Sequence, residues 1–174
     1  MKKIISILIS LAMLIALPCA LAEEIPVINW EDVDIESSGI EGTYYTFDEV
    51  AMVVWVPDVF ENLEVTEEDD ESMIGKFEVA DGSAGIYVQY IEGSEGADLD
   101  SLISVLESSG AEDIERCLLN GLDAVSYTLP DYDAMYVALM TESGNCVQFV
   151  IMPMSDEGVE AVAMLVAASI QPEA

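Results

Sequence analysis

Five acidic residues follow one another in a single stretch, and they form the only local cluster in the sequence with the chemistry of a metal site. Hard cations such as Ca²⁺ are held by several carboxylate and carbonyl oxygens. Successive side chains of an extended chain point in opposite directions, so adjacent carboxylates meet at one ion only in a particular loop geometry. We weigh this calcium site against a simpler interpretation, a solvated acidic loop with loosely held counterions. The candidate ligands are Glu67, Glu68, Asp69, Asp70 and Glu71.

A second acidic pattern lies nearer the N-terminus, where Asp32, Asp34 and Glu36 alternate with other residues as the first ligands of an EF-hand loop do. Ser37 occupies the position where that loop requires glycine, and Thr43 occupies the position of its bidentate glutamate. The pattern therefore does not predict an EF-hand.

The sequence contains no histidine. This excludes Ser-His-Asp and Cys-His nucleophile pairs, histidine metal sites and the usual general base near neutral pH. A Ser-Lys pair would have to use Lys76, which is expected to stay solvated on the polar face of a predicted edge strand. Gly82, Gly85, Gly93 and Gly96 form neither a phosphate-binding loop nor a dinucleotide fingerprint. We therefore predict that the protein is not an enzyme and has no cofactor, apart from the possible calcium.

One catalytic alternative stays open, a small hydrolase that uses two carboxylates as glycosidases do. The sequence has 35 acidic residues, and no spacing among them selects a pair. A third hypothesis is a calcium-dependent structural module.

Seven tyrosines offer another kind of chemistry, because aromatic rings can form a platform that stacks on sugars. Tyrosine is also an ordinary packing residue of β-strands, and packing is the simpler interpretation. The seven are Tyr44, Tyr45, Tyr87, Tyr90, Tyr127, Tyr132 and Tyr136.

The first residues predict export. Lys2 and Lys3 precede an apolar run from Ile4 to Leu17, and a small-x-small cleavage site ends at Ala22. Residues 1–22 are therefore predicted to be a cleaved secretory signal peptide, and the mature protein to be extracellular or periplasmic. Pro18 before Cys19 argues against a lipoprotein. The later apolar stretches are too short for a membrane span, so none is expected after cleavage.

Loss of this leader leaves 35 acidic residues against only two basic ones, Lys76 and Arg116. Such a charge repels the phosphates of nucleic acids and anionic membrane surfaces, so neither is expected as a partner. A cationic or protein partner is compatible with this charge. Hydrophobic residues make up 52% of the chain, which is too many for a disordered protein and enough for the core of one domain.

The leader also removes Cys19 and leaves Cys117 and Cys146. An exported protein with two cysteines suggests a disulfide. If their strands are the first and last of a four-stranded meander, however, the two Cα atoms lie roughly 14 Å apart, twice the distance that a disulfide allows. We therefore expect buried free thiols.

The element around which the chain is organised is a predicted hairpin of residues 134–140 and 146–152, with its turn at Gly144 and Asn145. Almost every position on both faces is apolar, with Gln148 as the exception, so both faces are expected to be covered. Residues 23–40 are predicted to be an acidic, irregular leader, and residues 41–174 a single domain.

The remaining elements follow from turn and helix signals. Asn120 and Gly121 predict a type I′ hairpin turn, and Asp81 with Gly82 predicts another hairpin. Strands are expected at 43–47, 50–56, 76–80, 84–91, 112–119 and 122–129, a short helical turn at 58–63, and helices at 98–109 and 155–170.

This order of elements resembles the PsbP-like (DcrB-like) family. Three stretches carry the resemblance: Val53 to Pro57, a strand that ends in a Val-Pro step; Ile114 to Thr128, with its Asn-Gly-Leu turn; and the last helix, which closes in Ala168, Ser169 and Ile170. The resemblance implies an α+β fold in which an antiparallel β-sheet is covered by helices on both faces, an α/β/α sandwich. It transfers no catalytic or cofactor residue. The expected function is a non-catalytic binding or accessory domain of unknown ligand.

Overall fold

The computed structural model describes residues 25–94 and 96–173. The predicted signal peptide, residues 1–22, lies outside these described residues. In the ranges that are described, no helix has the length and apolar composition needed to cross a membrane.

Within these ranges the chain forms eleven strands and three α-helices. The strands are Val27–Ile28 (β1), Gly42–Phe47 (β2), Met52–Pro57 (β3), Phe60–Leu63 (β4), Met73–Val79 (β5), Gly85–Ile91 (β6), Glu112–Leu119 (β7), Leu122–Leu129 (β8), Ala134–Met140 (β9), Cys146–Met152 (β10) and Gln171–Pro172 (β11). The helices are Ile35–Ser38 (α1), Leu99–Ser109 (α2) and Glu157–Ser169 (α3), and short 3₁₀ turns occupy Trp30–Asp32 and Pro130–Tyr132.

The predicted central hairpin is confirmed. Strands β9 and β10 pair in antiparallel register, with Val137 opposite Phe149, and Gly144 in the turn has φ of +82°. They lie in the middle of an eight-stranded sheet with the order β1-β7-β8-β9-β10-β6-β5-β4. The neighbouring turn is also confirmed, because Asn120 and Gly121 both have the positive φ that a type I′ turn requires, 50° and 84°.

The first predicted hairpin forms, but as part of a second sheet. Strands β2 and β3 make a three-stranded sheet with β11, in the order β11-β3-β2. Val54 and Val56 of β3 are almost fully buried in the main core. A strand of a second, packed sheet has the same local pattern of residues as a strand that extends the first sheet. The sequence therefore did not distinguish the two arrangements.

The prediction of a helical turn at residues 58–63 is wrong. Residues Phe60–Leu63 are strand β4, which pairs with β5 and places Leu63 opposite Lys76. Burial of Phe60, which is 4% exposed, favours a strand that brings this side chain to the core. Strand β4 is therefore one edge of the sheet, and β5 is the strand next to it, which confirms the prediction that β5 lies near an edge.

The segment expected to be irregular also differs. Strand β1 pairs with β7 and runs parallel to it. The backbone N–H of Trp30 donates to Oδ1 of Asn120 at 2.6 Å. The amide nitrogen of Asn120 donates in turn to the carbonyl oxygens of Ala168 and Ile170, at 2.9 and 2.7 Å. One turn residue thus joins the N-terminal segment to the end of α3.

The two long helices form where their caps and spacing predict. The Asp98 carboxylate accepts from the N–H of Ser101 and caps α2, and Gly110 ends it with φ of +86°. The Asp156 carboxylate accepts from the N–H groups of Gly158 and Val159 at the start of α3. Unpaired N–H groups at a helix start need such acceptors.

Each long helix belongs to a different cluster of core residues. The larger cluster contains Val159, Ala163 and Val166 of α3, and the smaller contains Leu99 and Leu106 of α2. Adjacent residues of β8 divide between the two, since Ala124 belongs to the larger cluster and its neighbour Val125 to the smaller. Alternate residues of a strand point to opposite faces of its sheet.

Strands β7 and β10 are separated by β8 and β9, as the meander prediction required. Cys117 of β7 and Cys146 of β10 are free thiols; Cys117 is buried and Cys146 is half-buried. Cys146 is thus less buried than we predicted.

Candidate functional site

The candidate site lies on the face of the large sheet that bears α2. This helix packs mainly on β7 and β8, at one side of the sheet. Farther across the same face, strands β8, β9, β10 and β6 present tyrosine and glutamine side chains that are mostly half-buried. We call this set the Tyr-Gln surface. Its members are Tyr127, Tyr136, Gln148, Gln89 and Tyr87.

Strand register places these residues on one face. Tyr127 lies opposite Tyr136, and Gln148 lies opposite Gln89. Val150 lies opposite both Tyr136 and Tyr87, so it forms the floor between two tyrosines. Side chains that are opposite each other on neighbouring strands share a face of the sheet.

A chain of hydrogen bonds crosses this surface. The hydroxyl of Tyr127 donates to Oε1 of Gln148 at 2.8 Å, and Nε2 of Gln148 donates to Oε1 of Gln89 at 3.0 Å. No bond from Nε2 of Gln89 occurs among the described residues, where every buried side-chain polar atom has a partner. The Gln89 amide nitrogen is therefore not fully buried, and among the described residues it ends the chain as a donor without a partner.

Tyr87 lies flat over a glycine of its own strand. A Cβ atom built on Gly85 would lie 2.4 Å from the Tyr87 hydroxyl oxygen and 2.5 Å from Cζ. The phenol end of Tyr87 thus occupies the space above Gly85, and the hydroxyl donates to Oε1 of Glu78 at 3.1 Å. Glycine is required here because any side chain would displace the ring. The ring is half-buried, so part of it is open to solvent.

The tyrosines at the other end form a stacked pair. The ring centroids of Tyr127 and Tyr136 are 4.9 Å apart, and the rings are inclined by only 6°. Burial raises the pKa of both phenols, and burial together with the Glu78 charge raises the pKa of Tyr87 to about 12. All three phenols are therefore neutral hydrogen-bonding groups at physiological pH.

The predicted acidic run reaches the far end of this surface through one residue. Oδ1 of Asp69 accepts a hydrogen bond from Nζ of Lys76 at 2.8 Å, and the Asp69 side chain is only 13% exposed. The hydrogen bond from Lys76, followed by those from the N–H and hydroxyl of Thr66, lowers the pKa of Asp69 to about 2. The positive charge of Lys76 is thereby paired with a carboxylate of the same protein.

The other four acids of the run do not join Asp69. Glu67, Glu68, Asp70 and Glu71 are exposed, and the Asp70 carboxylate accepts from the N–H and hydroxyl of Ser72. In the described part of the chain, no three acidic or thiol side chains are grouped as ligands of a metal ion. Calcium binding by the run stays a prediction.

Strand pairing brings together two carboxylates that are far apart in the sequence. Glu61 of β4 lies directly opposite Glu78 of β5. Residues in such a position have Cβ atoms about 5 Å apart. This is the pair that the hydrolase hypothesis would need, and it borders Tyr87.

A separate apolar cavity lies beneath α3, and it is too small for an organic ligand. Its volume is about 40 Å³, against several hundred Å³ for a typical small-molecule site. Pro26, Cys117, Met135 and Met164 are among the residues that line it.

Comparison with solved structures identifies the fold. The chain is similar to the cyanobacterial PsbP (CyanoP) of Synechocystis sp. PCC 6803, with 12% sequence identity and a TM-score of 0.53. The similarity covers 76% of this chain and 93% of that one. The chain has a PsbP-like fold. The predicted α+β class and antiparallel sheet are therefore confirmed, apart from the short parallel pair of β1 and β7.

Two further structures share less of the geometry. The Ran-binding protein Mog1p of Saccharomyces cerevisiae has 14% identity and a TM-score of 0.43, over 77% of this chain and 96% of that chain. A protein from Bacteroides thetaiotaomicron has 13% identity and a TM-score of 0.48, over 76% and 49% respectively. No family model matches the sequence, and no curated protein matches it.

Within this PsbP-like fold, sequence reasoning found only part of the candidate site. Gln148 was visible as the one polar residue of the central hairpin. Tyr87 and Gln89 were not separated from the other strand residues, although Gly85, Tyr87 and Gln89 alternate with Ile86 and Val88. That alternation indicates a strand with one apolar face, and it could have placed Tyr87 and Gln89 together.

Proposed function

We propose that this protein is an exported, strongly acidic, non-catalytic binding or accessory domain that binds its ligand on the Tyr-Gln surface. The observation that carries the proposal is the hydrogen-bonded chain from Tyr127 through Gln148 to Gln89, whose amide nitrogen has no partner in the described ranges. A buried polar network rigidifies the side chains in it, and rigid polar groups beside an aromatic ring are the parts of a specific binding site.

The proposed arrangement is an α/β/α sandwich in which one helix layer is incomplete. The division of β8 residues between the two core clusters supports placing α2 and α3 on opposite faces. Tyr127 is buried in the core cluster of α2, so Gln148, Gln89 and Tyr87, on strands beyond this helix, are the part of the face left for a ligand.

The ligand class that suits this surface is a neutral saccharide. Amide and phenol groups donate and accept hydrogen bonds as sugar hydroxyls do, and the face of Tyr87 provides an apolar surface against which a sugar ring can stack. The Lys76 charge is already paired with Asp69. The large excess of acidic residues would repel anionic saccharides.

The described residues support a non-catalytic role. Burial raises the pKa of Cys117 and of Cys146 to about 11, so both are protonated and unreactive near neutral pH. The chain has no histidine, and the phenols of the surface are neutral. The pair Glu61 and Glu78 keeps carboxylate-based hydrolysis as the alternative.

The test is a titration of the ¹⁵N-labelled mature protein with neutral oligosaccharides, followed through the side-chain amide signals of its glutamines. We expect signals of Gln89 and Gln148 to shift, and Tyr87→Ala to weaken binding about 10-fold or more, as the loss of a stacking ring does. Tyr44→Ala is the matched control, since Tyr44 is exposed on the other sheet.

Two outcomes would reject this proposal. One is the absence of any saccharide-induced shift at these amides; the other is an equal loss of binding in the Tyr44→Ala variant. Release of reducing ends from the same oligosaccharides, abolished by Glu78→Gln, would instead support the hydrolase.

Export is a separate part of the proposal. It is supported by the basic residues, apolar run and small-x-small site that end at Ala22. Expression of the full-length chain in a bacterial host tests it. Intact mass of the protein recovered outside the cytoplasm is expected to correspond to a chain that begins at Glu23, and retention of residues 1–22 would contradict it.

A further inference from the structure

We infer that the outer edge of strand β2 docks an extended, basic segment of another protein by adding a strand to the three-stranded sheet. Strand β2 is the edge of that sheet and pairs only with β3 among the described residues. In the same ranges, the backbone of residues 42–46 makes no hydrogen bond outside this pairing. Half of its N–H and C=O groups therefore face outward, without a partner in the part of the chain that the structure describes.

This edge lacks the protection that natural sheet edges carry. Stable proteins usually protect an edge with charged residues, proline or a very short strand. Residues Gly42–Phe47 contain no charge and no proline, and the strand has six residues. The other edges are protected: β4 has four residues and includes Glu61, β1 has two, and β11 has two and ends at Pro172.

The side chains of the edge are open to a partner. Thr43, Tyr44 and Thr46 are exposed, and Tyr44 is 51% exposed. The indole N–H of Trp30 donates to the Tyr44 hydroxyl at 2.6 Å and so orients this ring. An exposed aromatic ring favours contact with a lysine or arginine.

Charge determines which partner fits. Acidic residues flank both ends of the strand: Glu41 precedes it, Asp48 and Glu49 follow it, and Asp58 accepts from the hydroxyl of Thr43. A basic segment meets opposite charges at both of its ends. A second copy of this chain would place acids next to acids in either strand direction, which excludes self-pairing as the natural use of this edge.

The docking edge is independent of the Tyr-Gln surface. It lies in the three-stranded sheet, whereas the Tyr-Gln surface lies on the eight-stranded one. Loss of saccharide binding would leave this inference unaffected, and the reverse also holds.

The test uses a fluorescein-labelled peptide of eight residues in which threonine and valine alternate between a lysine at each end. Binding to the mature protein is measured by fluorescence anisotropy at low ionic strength. A peptide with glutamate at both ends is the charge control, and it is expected to bind about 10-fold more weakly because two attractive ion pairs become repulsive. Two further Lys-ended peptides are N-methylated on alternate residues. In one peptide the methyl groups lie on one edge of the strand, and in the other peptide they lie on the opposite edge.

Strand addition uses only one edge of the peptide, so one N-methylated peptide should bind as the parent does and the other should not bind. The variant Thr46→Lys should also weaken binding, whereas Ser83→Lys, at an exposed hairpin tip, should not. Near-ultraviolet circular dichroism of Trp30 and Trp55 verifies that the small sheet is intact in both variants.

The inference would be overturned by equal binding of the Lys-ended and Glu-ended peptides, by equal binding of both N-methylated peptides, or by equal effects of Thr46→Lys and Ser83→Lys. The absence of any binding by the Lys-ended peptide would also overturn it.

Discussion

Asp69 and Lys76 are joined across the end of the eight-stranded sheet, with the Lys76 Nζ atom 2.8 Å from Oδ1 of Asp69. Asp69 belongs to the run of five acids, and Lys76 to an internal strand. This contact attaches the acidic loop to the sheet and uses the carboxylate that is most sheltered in the run.

The stability due to this contact should depend on pH. The folded-state pKa of Asp69 is about 2, below its ordinary value of 3.8. A lowered carboxyl pKa contributes stability that is complete above the unfolded-state value and is lost as pH falls through the folded one. Asp69→Asn is therefore expected to lower the melting temperature at pH 7, and this difference should shrink between about pH 4 and pH 2.

Glu68→Gln provides the control for that measurement, because Glu68 is an exposed neighbour in the same run. It removes the same charge without breaking the contact to Lys76. If Asp69→Asn and Glu68→Gln change the melting temperature equally at pH 7, the contact does not stabilise the fold.

The placement of Tyr87 can be tested through Gly85. An alanine methyl group would lie 2.4 Å from the Tyr87 hydroxyl oxygen, so the ring must move away from Glu78. We expect Gly85→Ala to cost about 1–3 kcal/mol of unfolding free energy, measured by urea denaturation. In a Tyr87→Ala background the same change should cost less than about 0.5 kcal/mol, since the obstacle is absent. Equal costs in the two backgrounds would show that the ring does not cover Gly85.

Elements that depend on residues close together in the chain were predictable from the sequence, whereas the pairing of distant strands was not. The central hairpin, the Asn120-Gly121 turn and both long helices were predictable, because each depends on residues close together in the chain. Strand β4 was not, since its strand conformation depends on pairing with β5 and on burial of Phe60. The pair Glu61 and Glu78 was invisible for the same reason.

The candidate site illustrates the same limit. Gln148 and Gln89 are 59 residues apart, and their hydrogen bond exists because β10 and β6 are neighbours. The sequence indicated one unusual glutamine but not its partner. The five-acid run was obvious in the sequence, yet four of its members project into solvent.

Asn120 is predicted to stabilise the fold by joining the N-terminal segment at Trp30 to the end of α3. Its side chain accepts from the Trp30 N–H and donates to the carbonyls of Ala168 and Ile170. Asn120→Gly keeps the positive φ of 50° without strain but loses all three bonds. The expected cost is about 2–4 kcal/mol of unfolding free energy.

Asn120→Asp refines this measurement, because aspartate keeps the acceptor for Trp30 but lacks the two donors. It is expected to destabilise the protein as well, since a carboxylate would face two carbonyl oxygens. A cost below about 0.5 kcal/mol for Asn120→Gly would mean that the three bonds are replaced by water without loss.

The two cysteines should remain reduced even in an oxidising medium. They lie on strands separated by two others, and burial raises the pKa of each thiol to about 11. Iodoacetamide at pH 8 should therefore label neither thiol quickly in the folded protein, with half-buried Cys146 faster than buried Cys117. Mass spectrometry after labelling in guanidinium should find both alkylated in the mature chain, and a mass lower by two hydrogens with no label would reveal a disulfide.

Calcium binding by the acidic run is the last prediction, and it decides between a solvated loop and a specific site. Asp69 already binds Lys76, and its four acidic neighbours are exposed. Counterions that are loosely held respond to ionic strength and not to the identity of the cation. We therefore expect the melting temperature of the mature protein to be the same in micromolar calcium as in sodium chloride of equal ionic strength. A rise specific to calcium that is lost in a variant with Glu67, Glu68, Asp70 and Glu71 all replaced by glutamine or asparagine would establish a site, because only a ligand that binds the folded state raises its stability.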